Sequence, residues 1–218
     1  MDNRQGPQAG SGGTTVETVF GKDLVLASSS PRRSEILLAV NWPFSILPTD
    51  VDESRRPGEA AVAYVERLAL EKAEAAARHS EGASIVLGAD TVVVIGDEIL
   101  GKPVDKEDAK RMLRMLSGRW HEVLTGVALV RTGDSKGKRV AHESTQVRFA
   151  EMNEDEIVWH VANGSPLDKA GAYAVQGLAA LFIREIRGDY WNVVGLPVQL
   201  VYKLAREMRS EGKRSFEL

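Results

Sequence analysis

Apolar residues fall along the chain in two kinds of run, and each kind predicts a type of element. Short continuous or β-branched runs at Leu24–Ala27, Phe44–Leu47, Ile85–Ile95 and Ala180–Ile186 read as strands. The run at Ile85–Ile95 is the longest of these; it reads as a central strand turning through Gly96-Asp97 into Glu98–Leu100. His121–Arg131 and Arg139–Ala150 read as a hairpin joined through Thr132–Gly137. Helical spacing marks Pro31–Val40, Gly58–His79, the segment from Asp105 that stops at Gly118, a short helix opening at Asn153 with Glu156 in capping-box position, and a last helix from Asn192 to about Met208. Residues 1–19 are polar and glycine-rich with nothing periodic to bury, and are expected to form a disordered N-terminal extension. The polar tail Ser210–Leu218 is expected to fray. No repeat or linker interrupts residues 20–218, which read as one domain.

Several polar residues break this pattern, and they carry the chemistry. The first strand runs into Ser28-Ser29-Ser30, then Pro31 and the pair Arg32 and Arg33 at a helix start. Pro31 suits the first helical position and Ser30 the N-cap, but cations are disfavoured at the positive end of a helix. An anion between the arginines, the hydroxyls and the free amides would remove the conflict. On a helical wheel, Ala61, Tyr64, Val65, Leu68, Ala69, Ala75 and Ala76 share one face, while Glu59, Glu66, Arg67, Glu71, Glu74 and Arg78 gather on the other. Lys72 falls in the middle of the apolar face, where an ammonium must either snorkel out or meet an anion.

Asp90 poses the same problem inside a β-branched strand, where a carboxylate needs a metal, a cation or a catalytic role. Gly88 and Ala89 beside it are expected to leave room for a ligand near the backbone. Asp50, Asp52 and Glu53, in a proline-bounded loop, are either a solvated cluster or oxygen donors for a divalent cation. His121 has no His or Cys partner at metal-ligand spacing and reads as structural.

Composition narrows the choice of function. A formal net charge of −3 argues against a general nucleic-acid binder, so any anion site is local. There are no cysteines, which removes disulfides, thiolate chemistry and Cys-based zinc sites and suits a reducing compartment. No apolar run is long enough to cross a membrane and the N-terminus lacks a hydrophobic signal core, so the cytoplasm is the expected location. The sequence has no GxxxxGK[ST] loop, no GxGxxG after a strand and no HExxH. Four or five cations with two or three acids, gathered at strand ends and helix starts, suit a polyphosphate with a divalent metal. By spacing alone the reading is metal-assisted hydrolysis of a phosphoanhydride.

The ordered motifs extend it. LASSSPRRSEILL, the Glu53 loop, LALEKA around Lys72, GADTVVV, GKP at 101–103, LSG followed by His121 and TGV, DKAGAYAVQG and GDYWNVVGLP resemble, in this order, the Maf family of nucleoside triphosphate pyrophosphatases. The resemblance implies an α/β fold with a long, twisted mixed sheet and two lobes around a cleft, similar to ITPase-like pyrophosphatases. It implies cleavage of a nucleoside triphosphate to monophosphate and pyrophosphate with a divalent cation, Mg²⁺ or Mn²⁺. Asp90 matches the catalytic acid, with Glu53 and Asp90 as metal ligands and Ser28, Arg33, Lys72 and Lys102 as phosphate-binding positions. Arg32, Thr91 and Gln176 match the positions that separate substrate subgroups, and this combination is similar to the dTTP/UTP subgroup. A 7-methyl-GTP preference and a nucleotide-sensing regulator of cell division are the alternatives. No nucleic-acid or membrane partner is expected, and a homodimer is left open.

Overall fold

The computed structural model describes residues 24–80, 82, 84–133 and 137–214. The expected N-terminal extension and the middle of the Thr132–Gly137 turn lie outside these residues. In chain order the elements are β1 (Leu24–Leu26), α1 (Pro31–Ala39), β2 (Ser45–Ile46), α2 (Ala61–Ala77), β3 (Ile85–Ile95), β4 (Glu98–Leu100), α3 (Lys106–Leu116), β5 (Trp120–Arg131), β6 (Lys138–Phe149), α4 (Glu154–Asn163), β7 (Ile183–Arg187), α5 (Tyr190–Val194) and α6 (Val198–Arg214). Three short 3₁₀ turns at Pro166–Asp168, Ala170–Ala172 and Leu178–Leu181 separate α4 from β7.

The expected α/β architecture with a long mixed sheet is present. Among the described residues, seven strands form one sheet in the order β2-β1-β3-β5-β6-β7, with β4 paired to β3. The β2–β1 and β1–β3 pairs are parallel and the others antiparallel. Successive strand residues face opposite sides of a sheet. Leu24, Leu26, Leu87, Ala89 and Leu129 accordingly join the large core built with α1, α3, α4, α5 and α6, whereas Val25, Val86, Ala128 and Val130 join a smaller one under Ala69, Ala73 and Ala76 of α2. No helix among the described residues is long and apolar enough to cross a membrane.

Helix α2 lies unusually close to the sheet, and two glycines allow it. A Cβ on Gly88 would sit 2.1 Å from the Ala69 carbonyl oxygen, and one on Gly126 would sit 2.2 Å from that of Val65. The gap at Gly88 is thus filled by helix backbone, which corrects the expectation that it admits a ligand.

Two further expectations are corrected. The apolar run Ala180–Ile186 begins as a 3₁₀ turn, because Ala179 and Phe182 are buried three residues apart, as a helical turn requires. The last helix is two helices. Gly195 at φ 121° ends α5, and α6 begins just after Pro197. It runs to Arg214, beyond the expected end near Met208, and residues 215–218 of the expected frayed tail lie outside the described residues.

His121 is structural, as expected. It is buried, its Nε2 lies 2.8 Å from the Tyr173 hydroxyl, and its ring packs edge-on against Phe149 and Tyr173. Burial holds its pKa at about 4, against an ordinary value of 6.5. Between those values the unfolded chain binds a proton that the folded chain does not, so stability falls as pH drops. Unfolding free energy measured by urea titration is expected to fall by about 2 kcal/mol from pH 7 to 5 on this account, and the slope should flatten in His121→Phe. Gly88→Ala is expected to cost at least about 2 kcal/mol in the same assay, because helix backbone must be displaced. Gly101→Ala, with nothing within 4 Å of its Cβ, should change stability by less than about 0.5 kcal/mol.

Candidate active site

Strand β3 pairs with β5 along Ile85–Val94, but its other edge is covered only in part. There β1 pairs with Ile85–Leu87 and β4 with Val93–Ile95. Among the described residues, 88–92 have no strand partner on that edge, and Asp90 stands at the middle of the gap. A cleft of about 600 Å³ opens there, lined from the 28–33 turn, the Glu53 loop, α2, β3, Lys102, the 168–176 segment and α5. Its size suits a small-molecule ligand.

Val86, Gly88, Asp90 and Val92 alternate onto the α2 side of the sheet. Asp90 pairs across the strands with Gly126, so the two glycines that seat α2 flank the carboxylate in space. The helix therefore sets Lys72 directly over it. Lys72 Nζ lies 2.7 Å from Asp90 Oδ1 and 2.6 Å from Glu53 Oε1. The anion that Lys72 needs on its apolar face is thus supplied by two carboxylates. Burial alone would raise the Glu53 pKa, but the hydrogen bond and charge of Lys72, with Lys102 and Arg33, hold it below its ordinary value.

Arg33 resolves the misfit at the start of α1 by bending away from the helix axis. Its Nε donates to the Gly195 carbonyl at 2.9 Å, Nη1 to Ser28 Oγ at 3.0 Å and Nη2 to Thr91 Oγ1 at 3.2 Å. Gly195 caps the C-terminus of α5, the end of a helix where a cation is favoured. Partial burial lowers the pKa of the guanidinium, and the nearby Asp90 carboxylate opposes that shift. Ser28 also accepts from the Ser30 amide at 3.2 Å. Ser30 itself is the N-cap of α1, but its side chain makes no capping bond.

The other expected positions surround this centre. Lys102 is exposed, with Nζ 4.0 Å from Glu53 Oε2. Arg32 reaches across the cleft to Asp168, 3.5 Å away. Asp168 sits below its ordinary pKa because the hydrogen bond and charge of Lys169, together with Arg32, outweigh a burial effect that would raise it. Gln176 is exposed on the cleft wall. Thr91 faces the opposite side of β3 from Asp90, and its hydroxyl is engaged with Arg33 and with Thr125 Oγ1 at 3.0 Å. The structure therefore brings together Ser28, Arg33, Glu53, Lys72 and Asp90, with Lys102, Arg32, Thr91 and Gln176 around them.

Three contributors do not stand out in the sequence. Tyr64, placed on the apolar helix face by its spacing, lines the cleft and donates to the Glu53 carbonyl at 2.7 Å. Arg67, grouped by the wheel with the solvated charges, is largely buried, at 13% side-chain exposure, and holds Glu59 at 2.6 Å. Its i,i+4 pairing with Glu71 is legible from spacing, but the fold-back of Glu59 is not. Asp168 is visible only as an acid beside Lys169.

The donor set also bears on a metal. Among the described residues no group of three His, Cys, Asp or Glu side chains could enclose one. Glu53 and Asp90 nevertheless converge on one point, presently bridged by the Lys72 ammonium. Two such carboxylates suit Mg²⁺, which takes one or two from the protein and completes its shell with water and substrate phosphates.

Residues 23–208 match the family described as Maf-like protein. The dTTP/UTP pyrophosphatase of Hahella chejuensis is 53% identical over 186 residues, covering 84% of this chain and 91% of that protein. That of Symbiobacterium thermophilum is 55% identical over 177 residues, covering 81% and 89%. That of a Geobacillus species is 48% identical over 191 residues, covering 88% and 99%. A HAM1 protein from Coxiella burnetii is 19% identical, with a TM-score of 0.43 over 59% of this chain and 73% of that one. The chain belongs to the Maf family.

Removing one member of the buried charge cluster should leave the others uncompensated. Lys72→Met is expected to lower unfolding free energy by about 3 kcal/mol at pH 7. Adding Asp90→Asn should recover part of that loss, so the double variant falls short of the sum of the singles in a denaturant-based mutant cycle.

Proposed function

We propose that this chain hydrolyses nucleoside triphosphates, dTTP and UTP among them, to the monophosphate and pyrophosphate, as a cytoplasmic house-cleaning enzyme. The observation that carries the reading is Lys72 held between Glu53 and Asp90, with Arg33 fixed beside them at a break in the sheet. The names of the three relatives, each about half identical and matched over most of its length, support the same substrates.

In this reading water attacks the α-phosphorus, the bond from that phosphorus to the α–β bridging oxygen breaks, and pyrophosphate leaves with the bridging oxygen. Asp90, on the cleft wall, accepts the proton that the water loses, a role that needs a carboxylate kept in place beside cations. Arg33, Lys72 and Lys102 bind the phosphates and counter the charge that builds on their oxygens. Arg33 is set before any ligand arrives, because Ser28, Thr91 and Gly195 already fix its plane. Ser28 borders the same phosphate-binding turn. Glu53 and Asp90 would hold a divalent cation, Mg²⁺ or Mn²⁺. When bound, that cation would polarise phosphoryl oxygens and lower the charge of the triphosphate. Gln176 offers an amide that matches the O4 and N3–H edge of a pyrimidine. Arg32, steered by Asp168, and Thr91, through its hold on Arg33, complete the selective wall.

A panel of nucleoside triphosphates that includes 7-methyl-GTP, incubated with Mg²⁺ or Mn²⁺, tests the reading. dTTP and UTP are expected to be turned over fastest with pyrophosphate as product, and EDTA should stop the reaction. Orthophosphate as the product would overturn the reaction type, and faster turnover of 7-methyl-GTP would overturn the subgroup. Asp90→Asn is expected to lower kcat by at least about 10²-fold while the dTTP dissociation constant moves by less than about threefold. Near-normal turnover in that variant would remove Asp90 from its role.

A further inference from the structure

Of the two acids on Lys72, Asp90 belongs to the middle of a long strand, whereas Glu53 lies on the segment between β2 and α2, which has no helix or strand of its own. The Glu53 carboxylate is half-exposed, at 48% of its free side-chain surface. Its attraction to Lys72 cannot by itself fix an irregular loop, since ordering each residue of backbone costs about 1–2 kcal/mol. What fixes the loop is a set of bonds from the first half of α2. The Tyr64 hydroxyl donates to the Glu53 carbonyl at 2.7 Å, and Arg67 Nη2 donates to the Ser54 carbonyl at 3.1 Å.

Arg67 also grips the far end of the loop. Its Nε and Nη2 form a two-point pair with Glu59 at 2.6 and 2.8 Å, while Nη1 reaches Glu71 at 3.0 Å. The guanidinium lies against the Tyr64 ring, 5.5 Å from its centre. Glu59 in turn accepts from the Arg56 amide at 3.1 Å. Hydrogen bonding from Arg67 brings the Glu59 pKa down to about 2, so the pair stays charged through any working pH. One largely buried guanidinium thus ties the residue after Glu53 to Glu59, two residues ahead of α2, and Tyr64 pins Glu53 itself.

We infer that Arg67 and Tyr64 are positioning residues, which hold the Glu53 carboxylate at the point where it meets Lys72 and faces the cleft. The inference rests on the proposed place of Glu53 in the active site. Lysine could not replace Arg67, because the planar fork serves Glu59 and the Ser54 carbonyl together.

The test uses the full chain carrying Arg67→Met, Tyr64→Phe, Glu53→Gln and the double change Arg67→Met with Glu53→Gln. Turnover of dTTP with Mg²⁺ is measured well below each variant's unfolding temperature, alongside amide hydrogen exchange. Arg67→Met is expected to lower kcat by at least about tenfold, with KM changed by less than about threefold. Exchange should accelerate in the segment around Glu53 and stay unchanged in β3 and β5. Tyr64→Phe deletes one hydroxyl from an otherwise intact core face, and is expected to lower kcat about threefold or more in the same pattern. In the Glu53→Gln background, Arg67→Met should cost less than about twofold, because the group it positions has lost its charge. An equal loss in both backgrounds, or exchange that rises in β3 and β5 as well, would reduce Arg67 to general support of the fold and overturn the inference. A Glu53→Gln enzyme as fast as the parent would instead sink the assignment of Glu53. An impaired Glu53→Gln beside unimpaired Arg67→Met and Tyr64→Phe would leave that assignment standing and sink only the positioning role.

Discussion

The site depends on how closely one helix approaches one sheet. Gly88 and Gly126 lack the side chains that would hold the α2 backbone away from β3 and β5, and their missing Cβ positions fall within hard contact of helix carbonyls. Because Asp90 is the cross-strand partner of Gly126, that contact places α2 and the carboxylate in a fixed relation. Lys72 then meets Asp90 at ordinary hydrogen-bond distance with its stem in the apolar layer. If the helix were lifted by the thickness of a methyl group, Lys72 would have to give up either its burial or its carboxylates. A packing constraint made of absent atoms thus determines an electrostatic one.

Much of this is legible in the amino-acid sequence, for identifiable reasons. The strands and helices follow from periodicity, and Lys72 and Asp90 stand out because each violates the period it lies in. Their mutual contact cannot be read there, because it depends on which strand α2 covers. Gly88 misleads for a related reason: a small residue signals that something comes close but not what. Gly88 suggests room for a ligand and proves to be room for a helix. Arg67 is hidden by its wheel position, which marks a charged residue as solvated unless a loop folds over it. The break between α5 and α6 falls at Gly195 and Pro197, which the single helix expected from Asn192 runs straight through. The role of that break, offering the Gly195 carbonyl to Arg33, has no sequence signal.

The cations of the cleft differ in how much freedom they retain. Arg33 is partly buried and committed to three oxygen acceptors, so it loses little further freedom when an anion binds. Lys102 is exposed, with its ammonium 4.0 Å from Glu53 Oε2. Arg32 lies between these extremes, bridged loosely to Asp168 over the mouth of the cleft. Such a gradient, from rigid floor to adjustable rim, suits a ligand whose charged end must be placed accurately and whose other end is recognised by adaptable contacts. Glu53, Asp90 and Asp168 are all engaged, so an incoming triphosphate meets cations whose charge is already partly neutralised.

The break in strand pairing around Asp90 has a consequence for how the molecule comes apart. Asp90 belongs to a strand bonded along its length to β5, so it can be displaced only when the whole sheet opens, and it shares the global stability of the fold. Glu53 is attached through a handful of side-chain bonds to a loop, and its segment can open at a much smaller cost. The two acids that meet on Lys72 therefore belong to different cooperative units. Warming or mild denaturant would release Glu53 while Asp90 and the core stayed native, so the working site would be lost as a local event ahead of global unfolding.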